Sequence, residues 1–221
     1  VTDADCKPSN TLWLQHLIAD FLHETKFVLG YAPFTKASGF INKLIRFDNV
    51  MTAMQYFSYA LMGMPYMGVG RNMAYKREEF FKVRGFMDHM KIRSGDDDLF
   101  INQAATNKNT EILFTPESFT LSEPKTTFKS WFYQKRRHAT TAKHYKGFDK
   151  FQLGLFFFSQ FWFFITAIVL LAFQFQWMIV LGILLFRYLF TWISLGYAAA
   201  KLKEKDVMYW YPIIELILIF T

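Results

Sequence analysis

Asp3 and Asp5, one residue apart at the head of the chain, form the first of three polar clusters that could carry chemistry. In an extended segment, side chains at i and i+2 point to one side. The pair can therefore converge on one hard divalent cation, of the kind that bridges to substrate phosphates. The second cluster is Gly95-Asp96-Asp97-Asp98. Adjacent carboxylates repel one another and raise one another's pKa, which suits one of them to general-base work, and a helix N-terminus relieves part of the repulsion. The third is Gln134-Lys135-Arg136-Arg137-His138 beside Trp131. Its cations and aromatic ring could hold a pyrophosphate leaving group or an acceptor ring. Each cluster also has a plainer reading: a solvated loop, an acidic helix cap and a basic anchor at a membrane surface.

The elements that must position these clusters follow from apolar spacing. Leu12, Trp13, Leu17, Phe21 and Leu22 recur at helical intervals over 10–26, with Ser9 or Asn10 as N-cap. Residues 27–31 form a short apolar run expected as a buried strand. An amphipathic helix spans 40–62 and ends at Gly63 and Pro65; its Met and aromatic content fits a membrane-facing surface or a core equally. The Gly68–Tyr75 stretch is expected to be a turn entering a short strand, followed by a helix over 76–83 closed by Gly85. Further on come a helix over 99–105, a strand over 111–115 ended by Pro116, and a basic aromatic helix over 126–146. No internal repeat or low-complexity linker interrupts the chain. The boundary between a catalytic unit (1–147) and an apolar unit (148–221) is expected near Gly147. An Asp-x-Asp at a strand end needs earlier strands to support it, so the chain is expected to begin inside a catalytic domain.

Aromatic residues make up 20% of the chain, with 27 Phe whose excess is concentrated in the last third. Residues 151–173 carry no charge, 177–200 carry only Arg187, and a further apolar run begins near 207 and continues to Thr221, where it is expected to be truncated. Segments of this length cross a hydrocarbon core of about 30 Å. Lys135, Arg136, Arg137, Lys143, Lys146 and Lys150 precede the first span, and Lys201, Lys203 and Lys205 follow the second. By the positive-inside rule the polar unit is cytoplasmic. The net charge of +7 is largely this juxtamembrane cluster, which fits anionic lipid headgroups and not nucleic acid. One cysteine, Cys6, excludes a disulfide framework and a multi-cysteine zinc site.

In this order, Asp-x-Asp, the acidic cluster, Gln-x-x-Arg and paired spans, the chain resembles the membrane-integrated family 2 glycosyltransferases. That group includes cellulose, chitin and hyaluronan synthases, ceramide glucosyltransferase and many bacterial cell-envelope enzymes. The Gly70-Arg71-Asn72-Met73-Ala74-Tyr75 stretch with Gly85-Phe86 looks like the family's glycine-bearing acceptor segment. The resemblance implies an α/β fold: the C-terminal half of a GT-A, Rossmann-like catalytic domain followed by transmembrane helices. It implies a multi-pass protein of the bacterial inner membrane. It implies inverting transfer of a sugar from a nucleotide diphosphate to a lipid or saccharide acceptor. Asp3 and Asp5 would hold Mg²⁺ or Mn²⁺, with Asp5 the direct ligand. Asp97 would be the general base, with Asp96 and Asp98 positioning it or binding the acceptor. Gln134 and Arg137, with Trp131, would lie near acceptor and diphosphate. His138 stands where the family's Gln-x-x-Arg-Trp motif has Trp, which weakens the case for a processive polymer synthase. The rival readings are a membrane transporter or scaffold, which would place charged or Gly/Pro-broken residues in the spans, and another metal-dependent enzyme, which would need a phosphate-cradling glycine loop.

Overall fold

A computed structural model describes residues 1–221 except Asp20, Leu22, His23 and Arg93. The strands are β1 Lys7–Pro8, β2 Phe27–Gly30, β3 Met73–Tyr75, β4 Thr110–Leu113 and β5 Thr120–Leu121. The helices are α1 Trp13–Ala19, α2 Phe40–Leu61, α3 Arg77–Lys82, α4 Asp96–Ala104, α5 Phe128–Ala139, α6 Gly147–Ala172, α7 Trp177–Lys201 and α8 Tyr211–Ile219. The fold is mixed α/β and mostly helical. The first helix is shorter than its apolar pattern suggested, and Leu22, counted in that pattern, lies outside the described residues.

β2 is the centre of a mixed sheet ordered β3-β2-β4, antiparallel to β3 and parallel to β4. All four of its residues are buried, which is why it reads as an unbroken apolar run. β1 and β5 form a separate antiparallel pair of two residues each, too short to leave a periodic trace in the sequence.

α2 bears out the core reading of its sequence. Leu44, Phe47, Val50 and Tyr56 are buried in the central core. The Tyr56 hydroxyl donates to the Gly30 carbonyl at 2.8 Å, tying the helix to the end of β2. The same helix also packs against α7, α8 and the helical turn Lys205–Trp210. Its anchor there is Arg46, only 2% exposed, which donates to Glu204 and to Asp206, with 2.7 Å between Nη1 and Asp206 Oδ2. Lys36 completes the cluster at 3.2 Å from Asp206.

The Arg46 hydrogen bonds hold Asp206 well below the usual aspartate range. A depressed carboxylate stabilises the fold above its unfolded pKa and loses that contribution as pH falls toward its folded value. Thermal stability should therefore drop in acid below about pH 4, and an acid melting series on Asp206→Asn should show a shallower decline.

Two helices, α6 and α7, are long and apolar enough to cross a membrane, and only 11% of each apolar window is buried against the rest of the chain. They are thus not the hidden core of this fold. The third apolar run is divided: the turn Lys205–Trp210 precedes the nine-residue α8. The charges of these segments pair with each other, Arg187 of α7 reaching Glu215 of α8 at 2.8 Å and also donating to Gln160 of α6. That pairing accounts for the polar groups the transporter reading would have used.

Candidate active site

Asp3 and Asp5 do converge, but not by extended geometry. Residues 3–6 form a turn closed by the Cys6 N–H donating to the Asp3 carbonyl at 3.0 Å. The turn gathers a carboxylate oxygen from each aspartate and the Cys6 sulfur within 4.8 Å of one another. Partial burial, then the neighbouring Asp5 charge, raises the Asp3 pKa. Two hard carboxylate oxygens, partly open to solvent, fit Mg²⁺ or Mn²⁺ that keeps water and phosphate as its remaining ligands. The soft Cys6 sulfur adds nothing to such a site.

α4 brings the second cluster into place. Gly95 precedes it with φ +77°, a left-handed conformation, and a Cβ there would lie 2.3 Å from the Thr141 side chain. Glycine is thus required both by the backbone and by the close approach of the Thr140–His144 turn. Phe100, one turn after Asp97, is locked edge-on between Phe27 at 5.6 Å and Tyr75 at 4.7 Å, which fixes the helix against the sheet.

The three aspartates then part company. Asp96 is exposed, Asp97 is half-buried, and Asp98 is 5% exposed. The Gly70 N–H donates to Asp97 Oδ2 at 2.5 Å. Burial raises the Asp97 pKa against the pull of the Gly70 and Asp98 backbone N–H groups. Burial raises Asp98 further, and its carboxyl lies against the Tyr145 phenol. Burial, with the Asp97 and Asp96 charges, therefore holds Asp98 toward its neutral form in the wall of the larger cavity.

Two cavities meet at this helix. The larger, about 660 Å³, is lined by Asp97 and Asp98, by Trp131, Gln134 and His138 of α5, and by Leu153 and Phe157 of α6. The smaller, about 260 Å³, is lined by Asp3, Asp96, Asp97, Arg137 and His138. Asp97 and His138 border both. Asp5, and Arg136 of the basic cluster, border neither. His138, at the position expected for Trp, is exposed along the cleft; partial desolvation there, then the Arg137 and Arg71 charges, lower its pKa and favour the neutral imidazole.

Trp131 is buried, and its indole N–H donates to Asp48 at 3.2 Å. Lys135 pairs with the other oxygen of Asp48 at 2.5 Å. Of the cations in this cluster, Lys135 is thus engaged by a carboxylate and clamps α5 onto α2.

Two contributors carried no sequence signal of their own. Asp48 is one carboxylate within an apolar helix pattern. Arg71 lay inside the acceptor-like stretch without being singled out, and it lines the larger cavity. Gly70 is the residue that allows Asp97 to sit where it does, because a Cβ there would lie 2.9 Å from Asp97 Oδ2. Gly70→Ala should displace that carboxylate and reduce turnover by about 10- to 100-fold. Because the obstructing atom is the end of one side chain, the melting temperature should move little.

The glycosyl transferase family group 2 matches residues 16–201. The match spans most of the chain, which belongs to the family 2 glycosyltransferases. Their chemistry is glycosyl transfer from a nucleotide sugar to an acceptor. No curated protein matches the chain significantly.

Proposed function

We propose that the chain carries the catalytic site of an inverting, membrane-integrated glycosyltransferase, with a GT-A-type domain over 1–147 and membrane spans beyond it. The observation that carries this reading is Asp97, bordering both cavities with a raised pKa and one oxygen clasped by Gly70. The smaller cavity takes the donor diphosphate and the larger takes the acceptor. Asp97 accepts the proton of an acceptor hydroxyl as that oxygen bonds to the anomeric carbon from the face opposite the diphosphate. The bond to the diphosphate oxygen breaks, and Arg137 offsets the charge left there. Mg²⁺ or Mn²⁺ held by Asp3 and Asp5 supplies further charge neutralisation on that diphosphate when bound. Gln134 and Trp131 border the acceptor, and neutral His138 offers a ring face or a hydrogen bond at the junction.

The juxtamembrane lysines and α6, α7 support a multi-pass protein with this site on the cytoplasmic face of a bacterial inner membrane. Proton NMR of the first-formed product of the full-length protein tests the mechanism. An anomeric configuration opposite to the donor's is expected; a retained configuration would sink the single-displacement scheme.

The pH profile provides a further check. Asp97 must be deprotonated to act, and its pKa is raised. The acid limb of kcat/KM should therefore lie above the ordinary aspartate value of about 3.9. A limb at or below that value would remove Asp97 as the base.

A further inference from the structure

We infer that the acceptor entering the larger cavity is an amphiphile bearing an anionic group, phosphate or carboxylate, and that Arg71 binds this group. The inference rests on the glycosyl-transfer reading and names its acceptor class.

Arg71 is a cation whose hydrogen-bond partners are all neutral. Its guanidinium donates to Ser122 Oγ at 2.8 Å and to Asn49 Oδ1 at 2.7 Å, and it lies over the Phe34 ring at 4.2 Å. Two of its five N–H groups are used in this way. Arg46, Arg84 and Arg187 each have a carboxylate within ion-pair distance. Among the described residues Arg71 has none, although it is part of a cavity wall. A guanidinium withdrawn from water without a counter-ion is costly, and an arriving anion would remove that cost. Burial lowers its pKa, and the Cys6 and Asp3 charges offset only part of that.

The rest of the lining agrees in charge and in polarity. Lys143 and Lys150 are exposed and also border the cavity. Of the acids that face it, Asp48 is neutralised by Lys135, and burial holds Asp98 toward its neutral form. Asp97 remains, against three cations. The apolar wall of Ile45, Met67, Leu153 and Phe157 continues onto α6, so an occupant with an apolar body can extend toward the membrane helices. Arg137 borders the cavity that holds Asp3 and Asp96, whereas Arg71 borders the larger one, although its charge also reaches Asp3. Arg71 directly follows Gly70, the residue that clasps Asp97. Arg71 and Asp97 border the same cavity, which places the anionic group at the head of the acceptor, on the side of the reacting hydroxyl.

The test is binding of soluble probes to the full-length protein in nanodiscs, by titration calorimetry at low salt. Hexyl phosphate, hexyl glucuronide and hexyl glucoside share one tail and differ in the head. At least one anionic probe should bind about 10- to 100-fold tighter than the glucoside, the factor expected for a charge-assisted pair. A phosphate preference points to a lipid phosphate, and a glucuronide preference to a uronic-acid sugar. Arg71→Gln should erase the preference, and Arg71→Lys should keep part of it. If Arg71→Gln fails to fold, the exposed pair Lys143→Gln/Lys150→Gln carries the test, with a smaller drop expected. Equal binding of all three probes, or a preference untouched by these changes, overturns the inference. Loss of the preference with sugar transfer intact would leave the glycosyl-transfer reading standing. Absence of transfer from any nucleotide sugar would remove that reading independently of the binding result.

Discussion

Asp97→Asn in the full-length protein is expected to lower glycosyl transfer by about 10²- to 10⁴-fold, the usual contribution of a general base. Asparagine is nearly isosteric, and its amide oxygen can still accept the Gly70 N–H that now reaches Asp97 Oδ2 at 2.5 Å. The local fold should therefore persist, and removing a carboxylate whose charged form burial disfavours should leave the melting temperature unchanged or raise it. Substrate KM should change far less than kcat, because the lost interaction belongs to the transition state. The comparison is Asp96→Asn, on the exposed neighbour at the smaller cavity, where a smaller loss expressed mainly in donor KM is expected. Equal losses at both positions, or near-normal turnover by Asp97→Asn, would refute the assignment of the base.

The second large effect is structural. Arg46→Ala should cost about 3–5 kcal/mol, because it leaves Glu204 buried without its counter-charge. Glu204 is 1% exposed and Arg46 2%, so water cannot take the missing partner's place. Asp206 is half exposed and keeps Lys36 at 3.2 Å, so it suffers less. Replacing both buried partners together, as Arg46→Met with Glu204→Leu, should restore most of the loss. Denaturant titration of the two variants separates a stranded charge from lost packing. The consequence reaches the cavities, because Asp48 and Asn49 follow Arg46 within one turn of α2. Asp48 holds Trp131 and Lys135, while Asn49 holds Arg71. Loosening this end of α2 should thus reduce turnover as well as stability.

How much of this was legible in the sequence depended on whether a feature was local. The buried run 27–31, the amphipathic 40–62 and the long apolar stretches that became α6 and α7 all have periodicity or length, and each appears close to its expected bounds. The convergence of Asp3 with Asp5 was foreseen for the wrong geometric reason, since a turn and not a strand brings them together. The separate fates of Asp96, Asp97 and Asp98 could not be read from three identical letters. They follow from the 100° between successive helical positions and from which side of α4 the core aromatics occupy. Arg71 and Asp48 were invisible for another reason: their importance lies in partners far along the chain, Ser122 for one and Trp131 and Lys135 for the other. Pairings at such separations leave no spacing to detect.

The most direct measurement is transfer of radiolabel from a panel of nucleotide-diphosphate sugars, using membranes that carry the full-length protein with Mg²⁺ or Mn²⁺. One sugar should be incorporated into a lipid-extractable or saccharide product, with one nucleoside diphosphate released per sugar, and Asp97→Asn membranes should give almost none. Folded protein that transfers no sugar from any donor, or that transfers it equally well without Asp97, would contradict glycosyl transfer by this site.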